Sequence, residues 1–313
     1  MQANQANQAN QSQSNQTNQK EYEAFKKLVE ESVANRVNGR VAIQTIIKNN
    51  SMKLDGLTIL AENTNISPTI YLNYYFDEYL KHGLNAVVDK IIEVYEQNKP
   101  EVPIDISFFT DAERVKGKIK MKLISYSRNK ELLKKVPHVR YLDMAIIFYA
   151  ELENKPNEGL ATIQIYNHHL SFWDFTTETL YELANENMLG DFRLESIFES
   201  IIDIFDEEQK EMLMAAKDMS RMQILTNKAK MYGAIGMLQT CILQEYMKRY
   251  NTEKLIIIPS SVHEVLLIPY EQGVDMEEMK AMVKEVNLTQ LSPEEVLSDS
   301  VYIYDGSTIE MVA

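Results

Sequence analysis

KLIIIPSSVHEVLLIPY, residues 254–270, decides the fold class. Two apolar runs rich in isoleucine, leucine and valine flank a short polar turn, which is the pattern of adjacent strands meeting antiparallel. From Ser220 onward the order is strand, helix, strand, strand, helix, strand. RMQILTN at 221–227 and GAIGMLQTCILQEYM at 233–247 precede the quoted pair, and MEEMKAMVKEV at 276–286 follows it; VYIYD at 301–305 and TIEMV at 308–312 close the chain. Strands outnumber the crossovers that a parallel sheet needs. The pattern therefore predicts an α+β protein with antiparallel or mixed sheets covered by helices, and argues against a doubly wound parallel sheet.

Working towards the N-terminus, VRYLDMAIIFYAEL (139–152) and LATIQIYN (160–167) read as two antiparallel strands joined by a turn at Lys155–Gly159. A helix follows from Thr176 or Thr177, and a second covers Leu194 to Phe205. The stretch from Asp105 to Pro137 reads as mostly helical and polar, a connector. Before it, RVAIQTIIKNN and MKLDGLTIL read as a hairpin from Arg40 to Leu60. Ser67-Pro68 reads as the N-cap and first residue of a helix ending at Gly83, with another helix from Leu84 to Gln97. Tyr22, Phe25, Leu28, Val29 and Val33 share one helical face, so a first helix is expected from Glu21 to about Asn35. Residues 1–20, with QANQANQAN at 2–10, carry no aromatic residue and read as a disordered Gln/Asn-rich tail. Two lobes are expected, 21–135 and 136–313.

The 313 residues carry a formal net charge of −14, from 46 acidic and 32 basic side chains. That charge repels phosphate backbones and anionic lipid, so neither nucleic acid nor membrane is expected as a partner. The basic segment KGKIKMK, Lys116 to Lys122, reads as a solvated face. Cys241 is the single cysteine and lies in an apolar helical pattern, which excludes a disulfide and reads as a structural thiol in a reducing compartment. No apolar run reaches the ~18 residues of a membrane helix, and the start lacks a signal-peptide pattern, so a cytoplasmic setting is expected.

Few residues gather in a pattern that carries chemistry. Ser260, Ser261, His263 and Glu264 cluster at the turn between two apolar strands, where a hydroxyl nucleophile and a general base could meet. The serines stand too close in sequence to His263 for an easy Ser–His line, and no glycine flanks them as in a nucleophile elbow. His168, paired with His169 near Trp173, and Asp174 form half a metal site, and adjacent positions on a strand or turn point in different directions, so one histidine packs while the other is solvated. The small residues of Tyr232-Gly-Ala-Ile-Gly236 lack the lysine of a phosphate loop and read as a close approach of helix to sheet. Tyr71, Tyr75 and Tyr79, with Tyr74 beside them, read as an aromatic face that either packs in the core against a sheet or serves as the best partner surface. No cofactor is called for.

Several blocks resemble an uncharacterised bacterial family, a domain of unknown function common in gut Clostridia-like bacteria and their integrative elements. The blocks are NNSMKLDGLTI (49–59), ISPTIYLNYYFDEYLKHG (66–83), HVRYLDMAIIFY (138–149), ATIQIYNHHLSFWDFTTETLYELANENM (161–188), MQILTNKAKMYGAIGMLQ (222–239) and LIIIPSSVHEVLLIP (255–269). The second half is also faintly similar to the YtpQ-like uncharacterised family. The resemblance implies a fold and a bacterial cytoplasmic setting, and it brings no catalytic residue. A non-enzymatic binding or adaptor protein with a basic protein partner is expected, an accessory factor of a mobile element. The alternative is a hydrolase or metal-dependent enzyme centred on His263 or His168.

Overall fold

The computed structural model of the chain describes residues 2–62, 64–100, 107–152, 161–198, 210 and 221–312, with side chains from residue 18 onward. The chain divides into two compact units, residues 1–48 with 53–106, and residues 49–52 with 107–313. Every strand pair is antiparallel, and helices cover the sheets. The class is α+β, as expected.

In the first unit, α1 (Gln2–Ala34) and α2 (Phe76–Asn98) pack on a sheet ordered β1 (Arg40–Ile47), β2 (Lys53–Leu60), β3 (Thr69–Tyr71). Phe25, Val29 and Val33 on α1 and Val87 or Val88, Ile91 and Tyr95 on α2 recur every three or four residues, so one stripe of each helix is buried against Leu57, Ile59 and Ile70. The backbone of α1 is helical from Gln2, ahead of the expected start at Glu21. The tail reading falls on residues 1–20, and the side chains of 1–17 lie outside the described residues.

The hairpin has the expected span, pairing Arg40 with Leu60 and Ile47 with Lys53. The segment after it is a correction. Thr69–Tyr71 is a short strand on β2, a 3-10 turn follows at Leu72–Tyr75, and α2 begins only at Phe76. The Ser67 hydroxyl accepts from the Ile59 N–H rather than capping a helix, which ties this stretch to β2. Gly83 interrupts the helix as expected, with non-helical φ 80° and ψ 177°, and α2 resumes at once.

The second unit holds two sheets. The smaller is built on β6 (Met144–Glu151), flanked on one side by β4 (Ile119–Ser125) and on the other by β5 (His138–Tyr141) and β7 (Thr162–Gln164). The larger is ordered β13 (Ile309–Met311), β12 (Tyr302–Tyr304), β10 (Leu255–Pro259), β11 (Val265–Pro269), β9 (Gln223–Asn227), β8 (Phe192–Ser196). Their inner faces share one core with α6 (Thr177–Asn187) and α7 (Thr240–Tyr250), including Met121, Phe148, Leu180, Leu243, Ile257 and Leu267. Short helices α3 (Ala112–Lys116), α4 (Lys130–Leu133) and α5 (Asn167–Trp173) connect the strands, and α8 (Met276–Thr289) lies on the other face of the larger sheet.

Five further readings need correcting here. The expected connector contains β4, in which Ile119, Met121 and Leu123 are buried while Lys120 and Lys122 take the alternate positions. Those lysines are not a solvated face. Lys120 lies 2.6 Å from Glu151 and 3.5 Å from Asp191, and Lys122 stands 3.9 Å above the Tyr232 ring. VRYLDMAIIFYAEL is two strands, because Leu142 adopts φ 54° and turns β5 into β6. Phe192–Ser196 is strand where a helix was expected from Leu194; the rest of that stretch, from 199, and the Lys155–Gly159 turn lie outside the described residues. Residues 233–238 form a 3-10 turn before α7 rather than part of one helix. Its glycines do allow close approach: a Cβ on Gly233 would sit 2.5 Å from Thr226 Oγ1 and 2.7 Å from the His263 carbonyl oxygen, and one on Gly236 2.8 Å from the Phe192 ring.

Candidate binding groove

The β10–β11 turn is closed on itself. The N–H groups of Ser260 and Ser261 both donate to the Glu264 carbonyl at 3.2 Å, the Ser261 hydroxyl accepts from the His263 N–H at 3.0 Å, and the Ser260 hydroxyl lies 3.3 Å from Glu264 Oε1. His263 turns away from both hydroxyls. Its Nδ1 accepts from the Tyr232 N–H at 3.1 Å, its ring stacks on Tyr232 at 5.6 Å, and its Nε2 is 3.8 Å from Glu295 Oε1. Because Nδ1 is held as an acceptor, the neutral ring carries its proton on Nε2. Burial lowers the pKa of His263, against the opposing pull of Glu295 and Glu264. These four residues therefore hold a turn and lock the 3-10 segment to the sheet, with no serine hydroxyl on a ring nitrogen.

At α5, His169 Nδ1 accepts from the Tyr166 N–H at 3.0 Å, and burial followed by neighbouring His168 lowers its pKa. His168 is exposed, its ring stacked on Tyr166, and Asp174 closes the helix in the left-handed conformation. Among the described residues no three His, Cys, Asp or Glu side chains are placed to hold a metal ion. Cys241 is exposed near the start of α7, not in the core expected for it.

The tyrosines divide between core and surface. Tyr79 lies 4.8 Å from Phe25 and stacks on Phe76, and Tyr75 packs on the same core. Tyr71 carries the Lys48 ammonium 4.6 Å above its ring and touches Tyr74, which is 61% exposed.

The second unit contains a concavity that none of these residues announced, apart from Ser260 at its edge. A cavity of about 490 Å³ opens between α8 and the outer face of β10 and β11. Ile258, Leu266 and Ile268 supply the sheet side, and Met279, Met282, Val283 and Val286 the helix side. The alternation explains the sheet side: Val265 and Leu267 enter the core, so their neighbours Leu266 and Ile268 must face the other way. Met282 remains 60% exposed, Val286 43%. Asp275 caps α8 by accepting from the N–H groups of Glu277 and Glu278 at 3.0 Å, so Asp275 and Glu278 stand together at the groove's acidic end. At the other end Asn287 donates to the Ser298 carbonyl and to Asp299, anchoring α8 to the segment before β12.

A volume of this size with an apolar lining is of the kind that takes up a ligand or partner segment. The sequence signal for it was present but ambiguous. Apolar side chains at both parities of β11 require cover on both faces, and the apolar positions 276, 279, 282, 283 and 286 of α8 form the cover.

A family model for a family of unknown function, DUF5688, matches residues 22–306. The chain belongs to the DUF5688 family. The match spans both units of the fold, including the groove. No curated protein and no solved structure matches the chain. Among the described residues no helix is long and apolar enough to cross a membrane.

Proposed function

We propose that this DUF5688 member is a non-enzymatic binding protein whose working surface is the groove between α8 and strands β10 and β11, where it receives an apolar segment of a partner protein. One observation carries the reading: a half-open apolar cavity of about 490 Å³ that leaves Met282 60% exposed at its lip. Exposed apolar surface that the fold could have buried marks a binding site. Three methionines line it, Met222, Met279 and Met282, and their flexible, polarisable side chains adapt to different apolar contours. The cytoplasmic setting that the family resemblance implies, and an accessory role on a mobile element, go with this reading.

The test is the binding of a neutral apolar fluorophore, Nile red, to the full chain. Wild type should bind one equivalent with a blue-shifted emission, and Met282→Lys should abolish that signal while leaving the far-UV circular dichroism unchanged. Equal binding by both proteins places the dye elsewhere and removes the groove as the working surface.

A further inference from the structure

We infer that the groove receives a basic amphipathic helix of the partner protein, an inference that rests on the groove being the binding surface. Its floor is sheet: β10 pairs with β11 from Leu255 to Pro259 and with β12 from Leu255 to Ile257, and β11 pairs with β9 from Val265 to Leu267, so the lining residues Ile258 and Ile268 are paired on one side only. A helix brings its N–H and C=O groups already bonded internally, so it can lie on this apolar floor without a strand partner.

The groove also has the length of a helix. Its lining positions on α8 run from Asp275 through Glu278, Met279, Met282, Val283 and Val286 to Asn287, one face of nearly the whole element. At 1.5 Å per residue that face extends about 18 Å, enough for three turns of a docked helix with anchors at i, i+3 or i+4, and i+7.

Charge selects the kind of helix. Asp275 and Glu278 are exposed at the mouth, no lysine or arginine among the described residues lines the groove, and the chain as a whole carries −14. On α8 the Lys280 ammonium is held 3.0 Å from Glu277, and neither Lys280 nor Lys284 is among the lining residues. An acidic polar face would be repelled and a basic one drawn in, so complementarity here sets both specificity and approach.

Competition against bound Nile red tests the idea on the full chain. Two synthetic peptides as long as α8 share one leucine and isoleucine face, and differ in carrying lysine or glutamate on the other. The lysine peptide should displace the dye at about tenfold lower concentration than the glutamate peptide, and about 500 mM salt should erase most of that difference. The double variant Asp275→Asn with Glu278→Gln should narrow the preference at least about threefold, since two charge contacts of modest strength are lost while asparagine keeps the helix cap. Equal displacement by the two peptides, or no displacement by either while the dye stays bound, overturns the basic-helix assignment and leaves the groove as a site for another apolar ligand. Failure of the dye itself to bind overturns the groove reading instead.

Discussion

His263→Ala should destabilise the second unit by about 2–4 kcal/mol, and the size of the effect separates a structural imidazole from a catalytic one. The histidine side chain is 26% exposed, and Nδ1 is the acceptor for the Tyr232 N–H at 3.1 Å. Alanine leaves that half-buried main-chain donor without its partner, a cost of about 1–3 kcal/mol. It also removes the ring stacked on Tyr232 at 5.6 Å, worth about 0.5–1.5 kcal/mol. His263→Asn places an amide oxygen near the position of Nδ1 and should recover most of the first contribution, leaving a loss of about 1 kcal/mol. Trp173 is the single tryptophan and is buried in the core of the second unit, so its fluorescence during urea unfolding reports on that unit. The dependence on pH has a definite sign. Burial lowers the folded pKa of His263, so the unfolded chain takes up the proton first. Its contribution is complete above the ordinary histidine value of about 6.5 and is lost as pH falls through the folded value. The wild-type urea midpoint should therefore decline on acidification below that point, and the His263→Asn midpoint should decline less. An alanine variant within about 0.5 kcal/mol of wild type would refute the structural reading of this ring, as surface changes typically fall in that range.

Gly233→Ala should prevent stable folding of the second unit or cost at least about 3 kcal/mol, because the new methyl group meets main-chain atoms at 2.6 and 2.7 Å that cannot swing aside; solubility and urea midpoint decide it. Asp143 accepts from Ser298 at 2.7 Å and from Tyr302 at 2.5 Å, so Asp143→Ala strands buried hydroxyls and should cost about 3 kcal/mol, against about 1 kcal/mol for Tyr302→Phe, both read by Trp173 fluorescence. Tyr79→Ala should destabilise the first unit by about 3 kcal/mol and Tyr74→Ala by less than about 0.5 kcal/mol, since one ring packs on Phe25 and the other is 61% exposed; circular dichroism at the helix band follows both. Burial alone would raise Asp55, but hydrogen bonds from Thr45 and Lys26 outweigh it and lower its pKa, so its stabilisation is present above the ordinary carboxylate range and fades as pH falls below about 4; Asp55→Asn should flatten that acid limb.

The antiparallel α+β design was legible because the polar turn between the apolar runs of β10 and β11 is too short for the crossover that parallel strands need. The stretch from 105 to 137 was not, because lysines alternating with Ile119, Met121 and Leu123 resemble a solvated segment until Glu151, Asp191 and the ring of Tyr232 supply their partners from distant parts of the chain. Pairing of Thr69–Tyr71 with Gly56–Thr58 overrides the helical spacing of Tyr71, Tyr75 and Tyr79, so Tyr71 lies by Lys48 and Tyr74 while Tyr75 and Tyr79 pack on the core of the first unit. The histidines attracted notice as chemistry, yet His263 and His169 each accept a main-chain N–H, a role visible only when the tertiary neighbour is known. The groove needed the same knowledge, since an apolar face on α8 reads equally well as fully buried core.

Methionine methyl NMR on the full chain tests the groove most directly. With the ε-methyl groups carbon-13 labelled and Nile red added, the signals of Met222, Met279 and Met282 should shift together, while those of Met121, Met144 and Met188 in the core of the second unit stay in place. Shifts confined to other methionines, or none at the three groove positions under saturating dye, would contradict the assignment of this surface as the binding site.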